Sequence, residues 1–195
     1  MLTDQLKEYT KEAHASSEKY LVNLIRQIET KADYAQLLRV FYGYFGKLEY
    51  SIGAVLDRKL LSDYADRRRA SALLADLEAL NAGTSDLETC MDLPQITNMY
   101  EVLGALYVYE GSSLGGQFIS KMIAERLQVK ENKAFGFFLS YGENTGRMWA
   151  DFKKALNSLA LDDEERNQVL NAARATFATF GRWLLSQSPA VIDKP

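Results

Sequence analysis

Only three prolines occur in 195 residues, at positions 94, 189 and 195, so the stretch from Leu2 to Gln187 contains almost nothing that forbids helix. Proline removes a ladder N–H and its ring clashes with the preceding turn, which makes its scarcity a strong constraint on what the chain can form. Apolar residues recur at i, i+3, i+4 and i+7 through six segments. They predict helices from about Thr3 to Glu29, Asp33 to Leu60, Asp66 to Leu80, Pro94 to Leu127, Asn144 to Leu159 and Asp162 to Leu185. The expected fold class is all-α. Asp33, Asp66 and Asp162 stand where side chains cap the first N–H groups of a helix, and Pro94 suits a first helical turn. Gly83, in the loop "NAGTSD", can take a left-handed conformation.

An apolar content of 47% is enough for one core at this length, so residues 1–187 are expected to form a single domain and 188–195 a flexible tail. A formal charge of -3 gives no general attraction to nucleic acid. No run approaches the ~18 apolar residues of a membrane span, and the start "MLTDQLKEYTKEAH" is charged where a secretory signal would be apolar. The expected location is cytoplasmic. Cys90 is the lone cysteine, which excludes an internal disulfide and a thiolate cluster, and no histidine stands near it to act as a base.

His14 is the only histidine. Any site that needs two imidazoles is therefore excluded, including the Glu-x-x-His pairs of di-iron bundles. One imidazole still suffices where a porphyrin fills the other in-plane positions of an iron. Lys7 precedes His14 by two turns, ~10 Å along the axis, and Glu18 follows by one, so the three share a helix face. Glu18 can accept the second ring N–H and fix the tautomer. The same spacing also describes an ordinary half-exposed histidine with charged neighbours, and both readings stand at this level.

"YVYEGSSLGGQFISKMI", Tyr107 to Ile123, places glycines inside a helical pattern, where each costs roughly 1 kcal/mol against alanine. Gly104, Gly111 and Gly115 share one stripe. Such a stripe admits either a neighbouring helix or a flat ligand lying on bare backbone, and Ser112 and Ser113 add hydroxyls that hold water.

Together these stretches resemble the haem oxygenases, the biliverdin-forming enzymes, in their bacterial branch. "LKEYTKEAH" with Glu18 is similar to the family's proximal helix, and "YVYEGSSLGGQ" to its glycine-rich distal helix in the "EGS-x-LG" form. The likeness runs from about Leu2 to Leu185. It implies a multi-helix bundle with haem, both cofactor and substrate, sandwiched between the two helices. It implies His14 as iron ligand, Glu18 as its partner, and Gly111, Ser112, Gly115 and Gly116 as the distal surface. Lys7 matches a lysine that pairs with a haem propionate, Lys153 falls at a similar basic position, and Arg147 is a helper whose guanidinium suits carboxylates. Dioxygen and electrons from a ferredoxin, flavodoxin or reductase are implied, with a bilin-using photoreceptor as a downstream partner. A haem store or delivery protein of the same fold is the alternative. Ser112 stands where animal and cyanobacterial members carry an aspartate, so the source of protons is not identified by the motif. Glu110, next to it, projects about 100° away around the helix.

"DRRRASALLADLEAL" reads as a solvated first turn in which Arg67, Arg68 and Arg69 wrap charge around the surface, with a partner-docking patch as the lesser alternative. Phe41, Tyr42, Tyr44, Phe45, Phe135, Phe137, Phe138, Tyr141, Trp149 and Phe152 are the expected core, some of them walls of a haem pocket.

Overall fold

The computed structural model describes residues 1–57, 61, 63–129 and 133–187. The expected tail, 188–195, lies outside the described residues. Seven α-helices run in order among the described residues: α1 Leu2–Arg26, α2 Lys31–Val55, α3 Ser71–Ala79, α4 Met99–Leu127, the short α5 Gly136–Leu139, α6 Thr145–Asn157 and α7 Asp163–Ser186. No strand occurs among the described residues. No helix among them is long and apolar enough to cross a membrane.

The helix starts follow local hydrogen bonding, and they correct three expectations. Thr30, rather than Asp33, caps α2: its hydroxyl accepts the Asp33 N–H at 3.2 Å while the Asp33 carboxylate accepts the Thr30 N–H at 2.8 Å. A carboxylate three residues into the helix reaches back as well as a cap reaches forward, so the pattern alone misplaced the boundary. Asn98 caps α4, accepting N–H groups of Tyr100 and Glu101 at 2.9 and 3.0 Å, and Pro94 lies before the helix in irregular chain. Asp66 belongs to a 3-10 turn at 64–66, and α3 begins only at Ser71. Asp162 caps α7 as expected, in a reciprocal pair with Glu165 at 2.9 Å each way. Gly83 has φ +64, the left-handed turn its sequence suggests.

Helix α7 is the axis of the bundle, with α1 and α4 packed along it. At Gly104 the α4 and α7 backbones approach so closely that a Cβ would stand 2.3 Å from the Val169 carbonyl. Beside this contact an aromatic cluster fills the core: Phe41, Tyr44 and Phe45 of α2, Phe137 and Phe138 of α5, and Phe180 of α7, all buried. Each such ring contributes about 1.5–3 kcal/mol by leaving water. Several polar groups in the core find partners there. Trp183 Nε1 donates to the Val40 carbonyl and the Tyr44 hydroxyl to that of Thr176, both at 2.7 Å. Asp76, buried on α3, accepts the N–H groups of Gly136 and Phe137 at 2.7 and 2.9 Å, which pins the start of α5. That ties the phenylalanine-rich turn to the core and carries its rings to the back of the site.

Candidate functional site

A cavity of about 720 Å³ lies between α1 and α4. Its floor on α1 carries Lys7, His14 and Glu18, its roof on α4 carries Gly111, Ser112 and Gly115, and its back is built from Phe41, Phe45, Phe137, Phe138, Phe177 and Phe180. Trp149 and Lys153 of α6 close one side. Two segments nearly one hundred residues apart in sequence thus face a common space. A volume within the usual ~300–1,000 Å³ of ligand pockets, largely apolar walls and a few polar groups describe a site for a sizeable, mainly apolar molecule.

His14 is half exposed, and its Nε2 stands 3.3 Å from Glu18 Oε1. Its ring leans on Phe177 with centroids 4.7 Å apart. One ring nitrogen engaged by a carboxylate leaves the second to bind a metal ion, with the orientation set by Glu18 and Phe177. The i, i+4 spacing read from the sequence produces this pair directly.

The glycine stripe divides by function. Gly104 serves helix packing, as described. A Cβ at Gly115 would meet nothing within 4 Å, and one at Gly111 would touch only the Trp149 ring at 3.4 Å, so these two present bare backbone to the cavity. Gly116 does not belong to that surface: its Cβ would lie 2.2 Å from the Phe138 carbonyl. One residue past Gly115 turns about 100° around the helix, which aims Gly116 at α5 instead.

Lys153 lines the cavity with its Nζ 5.7 Å from the Trp149 ring centroid. Arg147 does not line it. Six residues before Lys153, it points about 240° around α6, is largely exposed, and pairs with Asp151 at 3.6 Å.

The largest correction concerns "DRRR". Arg67 and Arg68 are buried, not solvated. Arg67 bridges Asp63 at 2.7 Å and Glu110 at 2.9 Å, and Glu110, as its helical position suggests, faces away from the cavity into that ion pair. Arg68 lines the cavity, donates from Nη2 to Ser112 Oγ at 2.6 Å and hydrogen-bonds the Tyr109 carbonyl. A run of arginines carries no periodic signal that separates buried from exposed members. The loop preceding α3 decides it.

The family model described as Heme oxygenase matches residues 1–186. The chain belongs to the heme oxygenase family. It is 28% identical over 155 residues to the heme oxygenase of Xanthomonas campestris pv. campestris, a match covering 80% of this chain and 90% of that one. Its fold is that of the heme oxygenase of Leptospira interrogans, with a TM-score of 0.76, 21% identity and coverage of 95% and 98% of the two chains. It also matches the fold of the NO- and CO-bound heme oxygenase of Neisseria meningitidis, at a TM-score of 0.77, 22% identity and coverage of 96% and 92%. The protein is thus an enzyme that degrades haem to biliverdin, with haem as substrate.

Proposed function

We propose that residues 1–187 form the unit that binds haem through His14 and opens its ring with dioxygen and electrons from an external donor. The products are biliverdin, carbon monoxide and ferrous iron. One observation carries the assignment: the only imidazole of the chain and the bare backbone of Gly111 and Gly115 front the same apolar cavity. The residues fit the group, because the open space over Gly115 is what any side chain would fill.

Haem, when bound, supplies both the iron centre and the ring carbon that is oxidised. The protein's residues do the rest. His14 would hold the haem iron through the ring nitrogen that Glu18 does not engage. Gly111 and Gly115 would leave haem room to approach the α4 backbone closely. The phenylalanine wall excludes water and raises the strength of every charge inside. Lys7 and Lys153, both bordering the cavity, would pair with the haem carboxylates and so set its rotation, which selects the carbon attacked. Ser112 orients water by its hydroxyl. The reductant is a ferredoxin, a flavodoxin or a reductase, the setting is the cytoplasm, and a bilin-using photoreceptor is the downstream partner.

Hemin titration tests the assignment. The wild-type chain should give a histidine-ligated Soret band and, with reductant in air, a bilin spectrum. His14→Ala should lose both, with partial recovery on added imidazole. A wild-type spectrum and rate in His14→Ala would show the ligand to be misassigned, and a stable band that never yields bilin would rule out the reaction.

A further inference from the structure

The cavity has two unlike ends. At one, Asp4 and Lys7 of α1 stand with Tyr107 of α4 and with Trp149 and Lys153 of α6. The Tyr107 and Trp149 ring centroids are 5.3 Å apart, and the Lys153 ammonium lies 5.7 Å from the Trp149 ring. Burial, and after it the charge of Asp4, raises the Tyr107 hydroxyl above its ordinary value of 10.0, so the early turns of α1 and α4 adjoin here. At the other end the lining is Leu21 of α1 with Leu114, Phe118 and Ile119 of α4. Leu21 comes fourteen residues after Lys7, ~21 Å along α1, and Phe118 eleven after Tyr107, ~16 Å along α4.

Positive charge does not extend to the second end. Among the described residues no lysine or arginine lines the cavity beyond Lys7 on α1 or beyond Ser112 on α4, and Arg68 is held beside Ser112 by its 2.6 Å hydrogen bond. The charge nearest that end along α1 is negative: Glu18, three residues before Leu21. Phe118 is 74% exposed and Leu114 42%, so a phenyl ring and an isobutyl group stand in water at the rim. They gain when the apolar edge of a ligand covers them. A ligand carboxylate placed there would give up water with no cation to meet it and would face Glu18.

We infer that Phe118 is a specificity-determining residue: with Leu114 it receives the ring edge that carries apolar substituents, and it rejects porphyrins that bear a carboxylate on every pyrrole. This deepens the haem oxygenase reading and rests on it. Haem has two carboxylates on one edge and vinyl groups on the opposite one, so it satisfies both ends of the cavity at once. A porphyrin with one carboxylate per pyrrole cannot, because every rotation leaves carboxylates beside Phe118. The substrate class is therefore iron porphyrins whose carboxylates are confined to one edge.

Three probes test this: hemin, iron mesoporphyrin with ethyl groups in place of vinyls, and iron coproporphyrin with four carboxylates. Each is titrated into the protein and followed by its Soret band and by quenching of tryptophan fluorescence. The wild-type chain should bind hemin and iron mesoporphyrin alike, and iron coproporphyrin roughly tenfold more weakly or worse, as expected for a charge desolvated without a partner. Phe118→Lys supplies the missing cation and should narrow that gap about threefold, the scale of an exposed ion pair, whereas Phe118→Leu should keep it. The side chain is exposed, so neither substitution disturbs the core. Equal wild-type affinity for hemin and iron coproporphyrin overturns the inference, as does much weaker binding of iron mesoporphyrin than of hemin. A gap that Phe118→Lys leaves unchanged, or that Phe118→Leu narrows equally, overturns it too. A wild-type chain that gives no histidine-ligated Soret band with hemin fails at an earlier step and overturns the haem reading itself.

Discussion

Arg67 Nη1 meets Glu110 Oε2 at 2.9 Å with both side chains only 1% exposed. Removing one partner of such a pair strands the other charge in the core. Glu110→Ala should therefore cost about 3–5 kcal/mol, whereas joint replacement by Arg67→Met and Glu110→Leu should recover most of that loss. Urea unfolding of the apo protein measures both. A single variant within about 1 kcal/mol of wild type would show that Asp63 alone compensates Arg67.

The divided glycine stripe makes opposite forecasts for similar substitutions. Gly104→Ala and Gly116→Ala drive a methyl into the carbonyls of Val169 and Phe138 and should lose about 1–3 kcal/mol. Gly115→Ala meets open space and should gain up to about 1 kcal/mol in helix propensity. Gly115→Leu should fold as apo protein yet form little bilin. Apo melting curves and turnover separate these outcomes, and equal destabilisation at all three positions would refute the division.

Lys7 and Lys153 border the cavity while Arg147 does not. Lys7→Ala and Lys153→Glu should leave the Soret band in place, weaken haem by up to about fivefold, the range of an exposed charge pair, and alter the bilin isomer ratio. Arg147→Ala should change neither. Haem titration and product chromatography check all three, and an altered isomer ratio in Arg147→Ala alone would reverse the assignment.

Acid stability has a local component at the start of α2. The Thr30 hydroxyl, then the N–H groups of Glu29 and Thr30, hold the Asp33 carboxyl below its ordinary value of 3.8. A folded pKa below the unfolded one means that the folded state binds fewer protons between the two values. The contribution is thus complete above 3.8 and is lost as pH falls through the lowered folded value. Asp33→Asn should flatten that part of the curve in urea midpoints taken from roughly pH 6 to pH 2. A wild-type acid slope in the variant would place the titration elsewhere.

Much of this molecule is legible in its sequence because helix periodicity and short-range spacing are local. His14 with Glu18, and Lys7 on the same face, follow from 3.6 residues per turn and need no knowledge of the fold. The neighbouring glycines show where that reasoning ends: Gly111 and Gly115 open on the cavity while Gly104 and Gly116 abut other backbones, and only the packing partners α7 and α5 distinguish them. Arg147 failed for want of a phase on α6, a helix whose face toward the site is set by Trp149 and Phe152. Arg68 was out of reach altogether. Its burial depends on Tyr141, Glu110 and Phe137, residues 42 to 73 positions away that converge only when the bundle closes.

Helix α4 behaves as a beam resting on two piers. One pier is the contact of Gly104 with α7, the other that of Gly116 with Phe138, and the clear span between them is ~18 Å. A beam held at both ends keeps its height whatever lies beneath. The gap thus acts as a gauge, admitting a rigid plate and bearing on it along its length. A planar ring should therefore fit that gap better than an opened, twisted product, whose change of shape would favour its departure.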